Sequence, residues 1–109
     1  MIQVNVFSDS EGSTRGIEVK GHAGYDEAGR DIICAAVSSL TLNMANSVEA
    51  FTEDGFDGSV EEETGHFIFR FTGDISPESK LLMDSLILGI KNIVETYGEE
   101  YIKIRFEEV

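Results

Sequence analysis

Apolar residues in this chain repeat with a period of two before Asp31 and a period near 3.6 after it, and few folds accommodate that change. Ile2, Val4 and Val6 alternate with Gln3 and Asn5, and Ile17 and Val19 alternate with Glu18 and Lys20. A period of two puts alternate side chains on one buried face, so both segments are expected to be strands. Residues 9–13 (DSEGS) form a turn cluster that joins them as a hairpin. From Ile32 the pattern changes: Ile33, Val37, Leu40, Met44, Val48 and Phe51 recur at steps of three and four, one face of a long amphipathic helix. Asp31 stands where a carboxylate can cap the free N–H groups of that helix, and Gly55 lies beyond its last turn.

The alternation then returns. Val60 and the run Phe67, Phe69, Phe71 predict a second hairpin turning at Thr64 and Gly65. Ser76 followed by Pro77 opens a second helix, the cap residue first and proline at the first helical position. Leu82, Leu86, Ile90, Ile93 and Tyr97 form its inner stripe and Gly98 ends it; Ile102, Ile104 and Phe106 alternate with Lys103 and Arg105 in a final strand. The order ββαββαβ predicts an α+β fold, a two-layer sandwich with a mostly antiparallel five-stranded sheet and two helices on one face. A chain of 109 residues is expected to form one domain over 1–109, large enough for a core without disulfide staples. The second helix carries more apolar surface than one sheet needs, with Met83, Ile87 and Val94 on a neighbouring face and Leu81 and Leu88 on another. A homodimer would cover the excess; a more enclosed core helix is the competing reading.

Charge narrows the partners. With 21 Asp and Glu against 8 Lys and Arg, the net charge is −13, which repels phosphates, so direct nucleic-acid binding is not expected. A basic protein or peptide would be steered toward such a surface in a salt-sensitive way. The first residues, MIQVNVFSDS, show neither a basic n-region nor an apolar h-region, and no apolar run approaches the length of a membrane span. With the lone thiol of Cys34, these features fit a cytoplasmic protein.

Cys34 is also the residue with most chemical potential. Cysteine attacks as thiolate, and a free thiol of pKa about 8.5 needs a positive environment to ionise at neutral pH. If Asp31 is the cap, Cys34 is the third helical residue, where unpaired N–H groups and the helix dipole favour a negative sulfur. His22 closes the second strand one loop upstream and can serve as its partner, stabilising the thiolate and then protonating a leaving amine. The Cys34 N–H is the first candidate to hold a tetrahedral oxyanion. Taken alone, a lone Cys in a helix is more often a packed residue than a catalytic one. Ser38, four positions on, shares its helical face and can hydrogen-bond near the pair or back to the Cys34 carbonyl. Asp31 can cap, orient His22, or both. His66, after Gly65 at a turn, reads as structural. Between His22 and Asp31, residues 23–30 (AGYDEAGR) hold Gly24 and Gly29 near their ends, the composition of a loop that changes shape. One Cys and two separated His give no metal-ligand spacing, and no metal or cofactor is expected.

Residues 21–40, GHAGYDEAGRDIICAAVSSL, resemble the bacterial ribosomal-processing cysteine protease family. That family's pattern is Gly-His-Ala, a short variable loop, Gly-x-Asp-Ile-[Ile/Val]-Cys-Ala, and a Ser four residues beyond the Cys. Gly21, His22, Ala23, Gly29, Asp31, Ile32, Cys34, Ala35 and Ser38 match it. The resemblance implies a cysteine endopeptidase that removes the N-terminal extension of the bacterial large-subunit ribosomal protein numbered twenty-seven. The cut follows a pair of aromatic residues and exposes a small residue ahead of a basic tail. It further implies that His22 and Cys34 form a catalytic dyad working through a thioester, with Gly21, Asp31 and Ser38 as supporting residues. The intervening loop, with Ala23, Gly24, Gly29 and Arg30, would cover the substrate cleft, and the enzyme would be a homodimer. Two rival readings stand beside it: a non-catalytic acidic dimer that chaperones a basic ribosomal protein, and a redox-sensing thiol protein.

Overall fold

The computed structural model describes residues 1–22, 31–61 and 63–109. Strands β1 (Ile2–Ser8) and β2 (Thr14–Lys20) precede helix α1 (Ile32–Phe51); strands β3 (Phe56–Glu61) and β4 (His66–Phe71) precede helix α2 (Pro77–Tyr97); β5 (Ile102–Glu108) follows. The five strands form one sheet in the order β3-β4-β2-β1-β5. The pairs β1–β2, β2–β4 and β3–β4 are antiparallel, whereas β5 returns beside β1 in parallel, so the sheet is mixed. A parallel return of this kind needs a crossover, and α2 supplies it.

Alternation fixes which sheet face is covered. Ile2, Val4, Val6, Ile17, Val19, Phe67, Phe69, Phe71 and Ile102 join one cluster with Ile33, Val37, Met44 and Val48 of α1 and Met83, Leu86, Ile87 and Ile90 of α2. Both helices therefore share one face of the sheet. The centre of the aromatic run is Phe69, fully buried, stacked on Phe56 at 4.8 Å between ring centroids and edge-on to Phe71 at 5.0 Å. On the helix-free face, the register aligns Glu18, Lys20, Asp57, Glu61, Arg70, Lys103, Arg105 and Glu107, a mixture of both signs. Phe7 is buried on that face beneath Arg70, whose guanidinium carbon lies 4.7 Å from the ring centroid.

Three details depart from the sequence expectation. Met83 and Ile87 belong to the chain's own core, so α2 is more enclosed than a one-stripe helix; Leu81 and Leu88 alone of that surplus remain exposed, at 70% and 61%. Phe51, assigned to the inner face of α1, is 77% exposed, because the helix ends there and Thr52 caps it in an extended conformation. Thr41 is buried on that face instead, its hydroxyl donating to the Val37 carbonyl at 3.0 Å and the Ser38 carbonyl at 3.1 Å. That pairing lets a polar group lie in the core. At the helix crossing, Gly89 gives Leu40 its space: a Cβ there would lie 2.9 Å from Leu40 Cδ1. No described helix is long and apolar enough to cross a membrane.

The start of α2 is tied to the segment after α1. Asp54 Oδ2 accepts from the Ser76 hydroxyl at 2.6 Å and the Ser76 N–H at 3.0 Å, while Ser76 Oγ caps Ser79 N at 3.2 Å. The Ser76 hydroxyl, chiefly, holds the Asp54 carboxyl below its usual pKa. A depressed carboxylate stabilises the fold fully above its unfolded value and loses that contribution as pH falls through the folded one. The melting-temperature gap between the wild type and Asp54→Ala is therefore expected to be constant above about pH 5 and to close below about pH 4. Thermal unfolding at stepped pH measures it. In the core, Phe69→Ala is expected to cost about 3–5 kcal/mol in urea titrations. Phe51→Ala is expected to stay within about 0.5 kcal/mol of wild type.

Candidate active site

The end of β2 and the start of α1 meet at one end of the sheet, and the backbone there explains why. Gly21 has φ +91, a left-handed conformation that L side chains resist. A Cβ at Gly21 would also overlap the Met1 carbonyl oxygen. Glycine thus ends β2, lets the first strand's leading residue close against it, and presents His22 immediately afterwards. Across the gap, Asp31 adopts an extended conformation and caps α1, its Oδ1 accepting from Ile33 N at 3.0 Å and Cys34 N at 3.1 Å. The helix begins at Ile32, so Cys34 is its third residue.

These two placements bring the sulfur and the imidazole together: Cys34 Sγ lies 3.9 Å from His22 Nδ1. Such a spacing is long for a hydrogen bond but typical of dyads before substrate draws them closer. Cys34 is half-buried and His22 exposed. The cap has a consequence that spacing did not disclose. Because the Cys34 N–H already donates to Asp31, it is engaged in the resting site and is not the free oxyanion donor the sequence suggested.

The pair opens onto a cleft of about 650 Å³. One wall is the outer side of α1, with Asp31, Cys34, Ala35, Ser38 and Leu42; the other is the end of the β3–β4 hairpin, with Val60, Glu61, Gly65 and His66. Ile2, Val19, Val37 and Phe67 complete the lining, which is mostly apolar with a few polar groups. Ser38 is exposed on this wall one helical turn beyond Cys34. His66 lines the cleft as well but is committed elsewhere. Its Nε2 lies 2.8 Å from Glu18 Oε2, a contact that lowers the Glu18 carboxyl pKa. Its position at the start of β4, next to β2, makes it an inter-strand tie, as the sequence reading held.

The assigned residues Gly21, His22, Asp31, Cys34 and Ser38 thus all border one cleft. Ala23, Gly24, Gly29 and Arg30, the expected substrate loop, lie outside the described residues. Leu42, Val60, Glu61 and Gly65 were not anticipated. Leu42 was legible only as an apolar residue off the inner stripe of α1; the hairpin residues carried no local signal, because their contact with the site spans some forty positions of chain.

Comparison with known proteins agrees with this geometry. Among curated proteins, the ribosomal processing cysteine protease Prp of Staphylococcus aureus is 28% identical over 99 residues, covering 91% of this chain and 93% of its own. That of Bacillus subtilis is 29% identical over 103 residues, covering 93% and 90%. A crystal structure of the S. aureus protease with a covalently linked product peptide superposes with a TM-score of 0.90 at 27% identity, covering 97% of this chain and 99% of that one. A second, with a substrate peptide, gives 0.86 at 26% identity over the same coverage. A family model described as cysteine protease Prp matches residues 1–103, and the chain belongs to that family of cysteine proteases.

Proposed function

We propose that this chain is a cysteine endopeptidase that removes the N-terminal extension of the bacterial large-subunit ribosomal protein numbered twenty-seven. The observation that carries the reading is the Cys34 Sγ to His22 Nδ1 approach of 3.9 Å at the mouth of an apolar cleft. Cys34 attacks the scissile carbonyl as thiolate, and the imidazolium of His22 gives its proton to the departing amine. Water then hydrolyses the Cys34 thioester with His22 as base. Within the first turn, Asp31 takes the N–H groups of Ile33 and Cys34, so among the described residues the Ile32 N–H is the first-turn donor that remains for the oxyanion. The apolar lining suits the aromatic residues ahead of the cut.

The net charge of −13 supports a basic substrate by raising its encounter rate. It opposes a direct nucleic-acid contact. We further read the protein as a cytoplasmic homodimer of single-domain protomers, supported by the exposed Leu81 and Leu88 on α2, with residues 23–30 closing over bound substrate.

Incubation with the extended ribosomal protein, followed by mass spectrometry of the products, tests the reaction. One cut releasing the extension is expected, abolished by prior iodoacetamide. Cys34→Ser and His22→Ala are each expected to lower turnover at least about a thousandfold. Near-normal cleavage by either variant overturns the dyad. Tight, salt-sensitive binding without any product would instead mark a chaperone. Asp31→Ala is expected to lose about 1 kcal/mol of stability from the missing cap, measured by urea unfolding.

A further inference from the structure

We infer that Gly65, in the turn between β3 and β4, is a positioning residue for His22, an inference that rests on the dyad proposed above. A general base must be held in register with the sulfur, since a ring free to rotate spends most of its time out of reach. In many such sites a carboxylate or amide on the far ring nitrogen does the holding. Among the described residues no hydrogen-bond acceptor meets His22 Nε2, and Asp31 Oδ1 is occupied by two backbone N–H groups.

Beside the ring lies position 65, which carries no side chain. A Cβ built on Gly65 would lie 3.2 Å from His22 Cε1, 3.5 Å from His22 Nε2 and 2.8 Å from the Gly21 carbonyl oxygen. The hairpin turn therefore passes so close that a hydrogen fits there and a methyl group does not. The peptide ahead of His22 has little room to yield, because Gly21 is itself packed on the Met1 carbonyl. The absence of a side chain at position 65 leaves the ring the place from which Nδ1 faces Cys34, and any side chain there pushes the ring or its preceding peptide off that line. Gly65 touches neither the sulfur nor the scissile bond in this role; it acts through His22.

Two separate reasons favour glycine at this position, and they can be divided. Gly65 has φ +68, which strains most side chains whatever the space. Asparagine tolerates that conformation, so Gly65→Asn keeps the turn while adding the Cβ. Gly12 supplies the control: its φ is +83, yet a Cβ there meets nothing within 4 Å. Since Cys34 is the chain's one cysteine, its alkylation by iodoacetamide can be followed on the intact protein.

The experiment compares alkylation rates from about pH 5 to pH 9 and cleavage of the extended ribosomal protein, in the wild type, Gly65→Asn, Gly12→Asn and His22→Ala. Gly65→Asn is expected to shift its alkylation profile toward that of His22→Ala and to lose about ten- to a hundredfold in turnover. Gly12→Asn is expected to match the wild type in both. Gly65→Ala, which adds only the methyl group, carries the same expectation should the asparagine variant not fold. A wild-type profile and turnover in the folded Gly65 variant would overturn the inference, as would an equal loss in Gly12→Asn. Alkylation requires no substrate, so it reads the placement of His22 even if the ribosomal protein is not cleaved.

Discussion

The carboxylate of Asp31, accepting from two backbone N–H groups at the start of α1, is the interaction on which the site depends. It satisfies donors that otherwise face water or nothing, and so sets the first residue of the helix. With the start at Ile32, Ile33 and Val37 fall on the core side, while Cys34, Ser38 and Leu42 fall along the cleft. The helix is thus anchored by its buried stripe and offers the adjacent stripe to a ligand. Displacing the cap would loosen the one turn that holds the thiol, although the rest of α1 would stay fixed by Met44 and Val48.

The other half of the site comes from sheet topology. β2 lies third in the sheet, with β1 on one side and β4 on the other, so the residue that follows it emerges between two neighbours and not at an edge. Gly21 turns the chain there and Gly65 lets the β3–β4 turn close behind it. The imidazole is therefore positioned by the sheet and the thiol by the helix, two rigid elements joined through a common core. His22 itself stands two residues past the end of β2, where the turn at Gly21 places it, whereas Cys34 lies within the first turn of α1.

Local signals in the sequence carried the elements: alternation in 2–6 and 17–20, the 3.6 period after Asp31, and the Ser76-Pro77 start. They also carried the nearness of His22 to Cys34, because the two flank one loop and the family pattern spans both. Strand order was not legible, since it depends on pairings such as Ile17 with Phe69, far apart in the chain. Periodicity erred at Phe51 because it does not register where a helix stops, and it passed over Thr41 because a hydroxyl bonded to its own helix behaves as buried volume. The hairpin wall of the cleft, Val60 to Gly65, escaped for the same reason as strand order. The Cys34 N–H cannot serve cap and oxyanion at once, because Asp31 already takes that donor in the resting site.

That shared turn bears on how the thiol is activated. The end of a helix offers roughly half a unit of positive charge, and Asp31 draws on it at closest range through its two hydrogen bonds. A carboxylate beside the sulfur also disfavours a second negative charge. The dipole alone is thus a weak source of thiolate here, and on the proposed dyad the positive charge would come from His22, whose Nδ1 lies 3.9 Å from the sulfur. On the proposed dyad, cap and base would be complementary: Asp31 draws on the helix field to fix where Cys34 lies, and a protonated His22 would restore the positive charge. A base with that task must be closely placed, and the room left by the missing side chain at Gly65 would serve that without adding a charge of its own.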